Sequence, residues 1–202
     1  MMKFLFAGDG VTAAGRSPDG LGEGYVTVVS GLVGASFYDR DPVFLNRAYE
    51  GERLSDLAAR FSSEMAPEAP ALLTLLVGTQ DALAAEPTSV SEFRAQYFDL
   101  LVRIDKESHP SKLLLMEPFL LPVGEIEPKY ERLYPVMCEY QSVLHKLCRE
   151  TGAELVELQS AFFKASRLRP NEYWTADGVH PTPAGHGLIA GEWISAAKKL
   201  VF

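Results

Sequence analysis

Five short apolar runs, spread widely along the chain, constrain the fold more than any other feature: Lys3 to Ala7, Pro42 to Asn46, Ala71 to Val77, Lys112 to Met116 and Glu154 to Leu158. Each has the length of a β-strand. Hairpins join antiparallel strands through a few residues, whereas parallel strands need a crossover of a dozen or so, usually a helix; the stretches between these runs are far longer than hairpin loops. Leu72-Leu73-Thr74-Leu75-Leu76-Val77 and Leu113-Leu114-Leu115-Met116 do not alternate, as befits strands covered on both faces. A parallel sheet is therefore expected.

The intervals carry helical periodicity. After Pro135, the residues Val136, Met137, Tyr140, Val143, Leu144, Leu147 and Cys148 recur at threes and fours, and Gly152 stands where a C-terminal cap belongs. A last helix opens with Thr182 as cap and Pro183 in the first position, then presents Leu188, Ile189, Trp193, Ala196, Ala197 and Leu200 for burial. Ser55 to Met65, Val90 to Lys106 and a segment from Tyr25 into Ala35 complete the helical set. The expectation is an α/β fold, a three-layer α/β/α sandwich of flavodoxin-like topology around about five parallel strands. A chain of 202 residues is the size of one domain, so 1–202 is read as a single one.

With 47% hydrophobic and 23% charged residues the chain is an ordinary globule and not a disordered segment. Nineteen Lys and Arg against 27 Asp and Glu leave a net charge of −8, which repels phosphate backbones and anionic lipid, so neither nucleic acid nor membrane is an expected partner. The longest apolar run, Ala71 to Val77, is far shorter than the roughly 20 residues of a spanning helix. Phe4 to Ala7 is too short for the core of a signal peptide. Cys138 and Cys148 fall on one helical stretch, about 15 Å apart at 1.5 Å per residue, and cannot bridge. These features place the chain in the cytoplasm by expectation. No Cys and His cluster or carboxylate pair has metal spacing, so neither a metal nor another cofactor is expected. Oligomeric state is not readable from the sequence.

Ligands of open parallel sheets bind beyond the carboxyl ends of the strands. The first strand is followed by Gly8-Asp9-Gly10-Val11-Thr12, the second by Arg47-Ala48-Tyr49-Glu50-Gly51, and the third by Gly78-Thr79-Gln80-Asp81; Asp177-Gly178-Val179-His180-Pro181 precedes the last helix. Each segment alone also reads as a turn. An Asp three residues before a His can nevertheless take a hydrogen bond from one ring nitrogen and leave the other as a base.

In this order the four segments resemble the SGNH hydrolases, the GDSL esterase and lipase family. Gly15-Arg16, Gly24-Tyr25-Val26, Leu115 to Phe119 and Asp177 to His186 are similar to the carbohydrate acetylesterase branch of that family. The resemblance implies an ester hydrolase for small-acyl or carbohydrate O-acetyl esters, in which a serine attacks, a histidine takes its proton and an aspartate orients the histidine. Asp177 and His180 fall on that dyad, and Gly51 on a backbone donor of the oxyanion hole. Two positions depart. Gly10 stands at the nucleophile, whose N–H is also an oxyanion donor, and Gln80 replaces the oxyanion asparagine, carrying its amide about 1.5 Å further out when donors must lie about 2.7–3.1 Å from the developing charge.

Without a hydroxyl at residue 10 the acyl-enzyme route is closed, a loss that costs a serine protease on the order of a million-fold in turnover. Two readings follow: an impaired hydrolase in which His180 polarises a water for direct attack, or a pseudoenzyme that binds an acylated sugar or similar small ligand. Departure at two motif positions is what natural divergence, more than a single engineered knockout, would leave. Thr12 is expected to be structural, and Ser17 has no base nearby in sequence. A nucleotide-binding role lacks its motifs, having neither the dinucleotide glycine spacing nor a Gly-Lys-Ser/Thr loop.

Tyr173 and Trp174, just before the Asp177 loop, are candidates for an aromatic wall against a sugar ring, with core packing as the alternative. His186 is assigned to the surface or to capping, and His109 and His145 stand isolated in sequence. Asp9 and Asp81 are expected to tie down their loops through backbone N–H groups. Glu50, Glu52 and Arg53 read as a solvated helix start.

Overall fold

The computed structural model describes residues 2–110 and 112–201. Five strands, β1 (Met2–Gly8), β2 (Pro42–Asn46), β3 (Leu72–Leu76), β4 (Lys112–Met116) and β5 (Glu154–Val156), form one sheet in the order β2-β1-β3-β4-β5. Every pairing is parallel; Phe6, for instance, lies opposite Asn46 of β2 and Thr74 of β3. Eight helices connect and follow the strands: α1 (Gly10–Ala13), α2 (Tyr25–Ser36), α3 (Leu54–Glu64), α4 (Thr79–Leu83), α5 (Val90–Glu107), α6 (Tyr130–Thr151), α7 (Leu158–Ser166) and α8 (Pro183–Val201). Helices α2, α7 and α8 pack together, as do α3, α5 and α6, giving the three layers.

The core explains the unalternating strands. All five residues of β3 are buried, including Thr74. That hydroxyl accepts a hydrogen bond from Trp193 Nε1 of α8 at 2.9 Å, and the indole ring packs 5.2 Å from Phe6 and 6.0 Å from Phe4 of β1. Among the other group of helices, Phe93 of α5 stacks on Tyr140 of α6 with centroids 4.0 Å apart. The chain passes from β1 to β2 on one side, then returns past β1 to β3 on the other. Such a reversal opens a crevice where the carboxyl ends of β1 and β3 diverge.

Several boundaries differ from the sequence reading. The fifth strand stops at Val156, and Leu158, expected as its end, opens α7, a helix the apolar run conceals. Helix α6 begins at Tyr130, so Pro135 lies inside it and removes one backbone hydrogen bond from a helix of 22 residues. The short α4 was hidden by its five-residue length. Cys138 and Cys148 are both free. No helix among the described residues is long and apolar enough to cross a membrane.

Candidate active site

The end of β1 is shaped by close approach to β3. At Gly8 φ is +155°, and a Cβ there would stand 1.9 Å from the Leu76 carbonyl oxygen, so only glycine fits. Asp9 then caps α1, its Oδ1 accepting from the Val11 N–H at 3.2 Å. Burial pushes the Asp9 carboxyl up to about 7, against hydrogen bonds from Val11 and Thr79 that favour the charged form. Gly10 is the first residue of α1, and its N–H is one of the amides that a helix leaves unpaired at its start. Thr12 is fully buried with its hydroxyl 3.1 Å from Tyr25 Oη, which makes it a structural residue and no replacement nucleophile.

The loop between β2 and α3 is held from several sides. Asn46 Nδ2 donates to the carbonyls of Thr12 and Leu21 at 2.7 and 2.8 Å, while its Oδ1 accepts from the Ala48 N–H at 3.0 Å. The Tyr49 ring lies under two guanidinium groups, Arg16 at 4.6 Å and Arg60 at 4.3 Å. Arg60 also pairs through two nitrogens with Glu52, which is buried. Glu50 follows Tyr49; its Oε1 accepts from the Gly15 N–H at 3.1 Å, and its Oε2 lies 2.5 Å from where a Cβ on Gly10 would stand. The expectation of a solvated helix start thus fails for Glu52, buried against Arg60 two turns further on, and misses the placement of Glu50, whose partner Gly15 lies on another loop.

Asp177 and His180 sit in a tight hairpin closed by the Thr175–Pro181 bridge and by the Ala176 N–H on the His180 carbonyl at 3.1 Å. Gly178 makes the turn at φ +99°. Segment 121–126 braces it, the Leu121 N–H donating to Gly178 O at 3.0 Å and the Ile126 N–H to Asp177 O at 3.2 Å. Asp177 Oδ1 accepts from the Val179 and His180 N–H groups at 2.9 and 2.8 Å, and Oδ2 lies 2.6 Å from His180 Nδ1. Partial burial is the largest single influence on Asp177 and pushes its pKa up, but the His180 ring and the two backbone donors together outweigh it and hold the carboxyl below its usual value. A carboxylate only accepts, so Nδ1 carries the proton and a neutral ring keeps Nε2 free as a base. That Nε2 lies 3.6 Å from the same Cβ point on Gly10.

The structure therefore brings Gly10, His180 and Asp177 together, and adds Glu50. Gly51 adjoins Glu50 at φ +70°, and Gln80 is the second residue of α4, half-buried beyond the end of β3. No hydrogen bond links Gly51 or Gln80 to Gly10 or His180 among the described residues. Beside His180 lies a cleft of about 280 Å³ walled by Leu83, Ile126, Leu133 and the basic Lys129 and Arg132. Tyr173 and Trp174 are not part of that wall. They meet edge to face at 4.9 Å, and their carbonyls accept from Thr182 Oγ1 and Thr182 N–H at 2.7 and 2.9 Å, fastening the hairpin to α8. A larger cavity, of about 530 Å³, lies at the amino ends of β4 and β5, against Lys112, Leu113 and Ala153.

Asp81, His186 and His145 make contacts away from Gly10. Asp81 accepts from the Leu54 N–H and Thr88 Oγ1, each at 3.0 Å, joining two loops. His186 Nδ1 accepts from the Tyr25 N–H at 3.1 Å, a capping role, and burial pushes its pKa down to about 4. His145, expected to be isolated, pairs through Nε2 with Glu117 at 2.7 Å, a contact between residues far apart in sequence. No group of three or more His, Cys, Asp or Glu among the described residues could hold a metal ion.

Comparison with known proteins finds relatives over nearly the whole chain. An acetylxylan esterase from Geobacillus stearothermophilus is 28% identical to the chain, covering 93% of it and 90% of the relative. A crystal structure of an acetylxylan esterase from the same organism superposes with a TM-score of 0.86 at 25% identity over all of this chain and 94% of that one. Serine-to-alanine and histidine-to-alanine forms of that esterase are both described as catalytic mutants. A Parabacteroides merdae protein described as a GDSL-like lipase superposes with a TM-score of 0.90 at 27% identity, over 98% of this chain and 95% of the other. The profile of one family matches residues 6–188. With nearly the whole chain so covered, from the end of β1 into α8, the protein belongs to the GDSL-like lipase/acylhydrolase family.

Proposed function

We propose that the crevice over Gly10 takes an acylated carbohydrate, an O-acetyl sugar above all, and that any hydrolysis there proceeds without an acyl-serine. The single observation that carries this reading is the convergence of an Asp177-oriented His180 on a residue with no side chain. Support for the substrate class comes from the acetylxylan esterase relatives. In this reading Gly10 N–H, Gly51 N–H and the Gln80 amide serve the acyl oxygen, and Tyr173 and Trp174 lie outside the reacting centre. The longer reach of Gln80 and the missing hydroxyl both reduce the rate. Two free cysteines fit a reducing compartment, and the cytoplasm is the proposed location.

A second reading, a crevice kept for binding without turnover, is favoured by the missing hydroxyl. Calorimetric titration with an acetylated xylo-oligosaccharide and with its deacetylated form, followed by an acetate-release assay on the same samples, separates the two. Binding that requires the acetyl groups is expected. A chain that neither binds nor hydrolyses any acetylated sugar overturns the assignment.

A further inference from the structure

Gly10 and Glu50 fit one another. A Cβ on residue 10 would stand 2.5 Å from Glu50 Oε2, closer than atoms approach, so the carboxylate lies where a serine side chain would begin. Glu50 is exposed but tethered. Its Oε1 is held by the Gly15 N–H at 3.1 Å, and the residue before it is fixed between Arg16 and Arg60. His180 Nε2 lies 3.6 Å from the same point. Among the described residues no ion pair joins Glu50 to His180, whose ionic partner is Asp177; the two atoms share the neighbourhood of one point above Gly10.

We propose that Glu50 replaces the missing serine as a catalytic residue: its Oε2 and His180 Nε2 together hold a water over Gly10, and that water attacks the ester carbonyl directly. The inference rests on the proposed ester-binding role of the crevice and adds a group and a reaction course to it. The water donates one hydrogen bond to each partner, so its lone pair faces the acyl carbon. As the O–C bond forms, the carbonyl π pair moves onto the acyl oxygen and one water proton passes to His180 Nε2, leaving an imidazolium flanked by the Asp177 and Glu50 carboxylates. Collapse of the tetrahedral species re-forms the carbonyl and breaks the bond to the sugar oxygen, which takes the proton from His180. Acid and alcohol leave, and Glu50, His180 and Asp177 return to their starting states. No covalent intermediate forms.

The test measures acetate release from p-nitrophenyl acetate and from an acetylated xylo-oligosaccharide by the native chain, Glu50→Gln and Glu50→Ala, with calorimetric binding of the oligosaccharide in parallel. Glu50→Gln keeps an oxygen to accept from Gly15 but removes the charge. The expected result is slow turnover with no burst, no acyl transfer to added methanol, and a kcat about 10²-fold lower in both variants with binding unchanged, the span typical of a misplaced reactant. Single turnover in ¹⁸O-water should label the released acetate and leave the Glu50 peptide unlabelled. Unchanged or increased turnover in Glu50→Ala, or label in Glu50 from a mixed anhydride, overturns the proposal. Native binding without any turnover also overturns it yet leaves the acylated-sugar reading intact, whereas absence of both defeats that reading.

Discussion

Glu50 and His180, one after the second strand and one before the last helix, converge on the bare α-carbon of Gly10, their Oε2 and Nε2 atoms 2.5 and 3.6 Å from the point where a side chain would start. This relationship sets what a restored serine would meet. Gly10 begins a right-handed helix, and the obstacle to a Cβ is the mobile end of one side chain, so serine is tolerated once Glu50 swings away. Gly10→Ser with Gln80→Asn is expected to show a burst and to raise esterase turnover on the order of 10³-fold or more. Adding Glu50→Ala should raise it further. Stopped-flow release of p-nitrophenol reads both effects, and a folded triple variant without a burst would show that the crevice has left the family's chemistry.

His180→Ala should abolish whatever ester hydrolysis the native chain performs, leaving only the buffer rate. Asp177→Asn should do nearly the same by offering Nδ1 a donor in place of an acceptor, which turns the ring over to the wrong tautomer. Because asparagine still supplies an oxygen for the Val179 and His180 N–H groups, the hairpin should hold. Steady-state rates and circular dichroism on the two variants check this; equal turnover in native and His180→Ala protein counts against the site.

Asp177 also makes stability depend on pH. Its folded pKa lies below the ordinary carboxylate value, so the stabilisation is present above that value and disappears as pH falls through the lower, folded one. Thermal melts from pH 6 down to pH 3 should therefore show a loss that Asp177→Asn diminishes.

Asp9 has the opposite sign. With a pKa of about 7 in the folded chain and about 4 when unfolded, it stabilises the protein fully below pH 4, and that contribution falls as pH rises towards 7. Asp9→Asn, which cannot ionise, should flatten the decline of melting temperature between pH 5 and pH 8 and raise the melting temperature at the upper end. An unaltered slope would mean that Asp9 is charged in the folded protein at pH 5.

Thr74→Val keeps the shape of β3 but leaves the buried Trp193 N–H without its acceptor. A loss of about 1–3 kcal/mol is expected, by denaturant titration. Thr74→Ser, which restores the hydroxyl, should recover part of it.

How far the residues announced this architecture can be judged element by element. The apolar runs of β1 to β4 and the periodicity of α5 and α8 are local signals, set by which side chains must leave water, and the observed strands and helices fall within a residue or two of them. The Asp177–His180 contact was readable because both members lie in one short hairpin. Glu50 was not, since its meaning depends on Gly15 and on the missing side chain at Gly10, both supplied by other loops. A carboxylate next to the second-block glycine, in a chain whose first block lacks its serine, is the one hint the residues held. Glu52 escapes a local reading for another reason: its partner Arg60 lies two turns further along, inside α3, and the pairing shows only once that helix is folded.

Trp193 wedges α8 against Phe4 and Phe6, and the imidazole of His180 rides on the hairpin that leads into that helix. The first strand thus waits for almost the last segment before the crevice has a second wall. A nascent polypeptide halfway through synthesis can already pair β1, β2 and β3, yet it holds no proton acceptor over Gly10. In the proposed reading the base arrives late as this chain leaves the ribosome, and a truncated product ending before the Asp177–His180 hairpin would lack it however well its early strands had assembled.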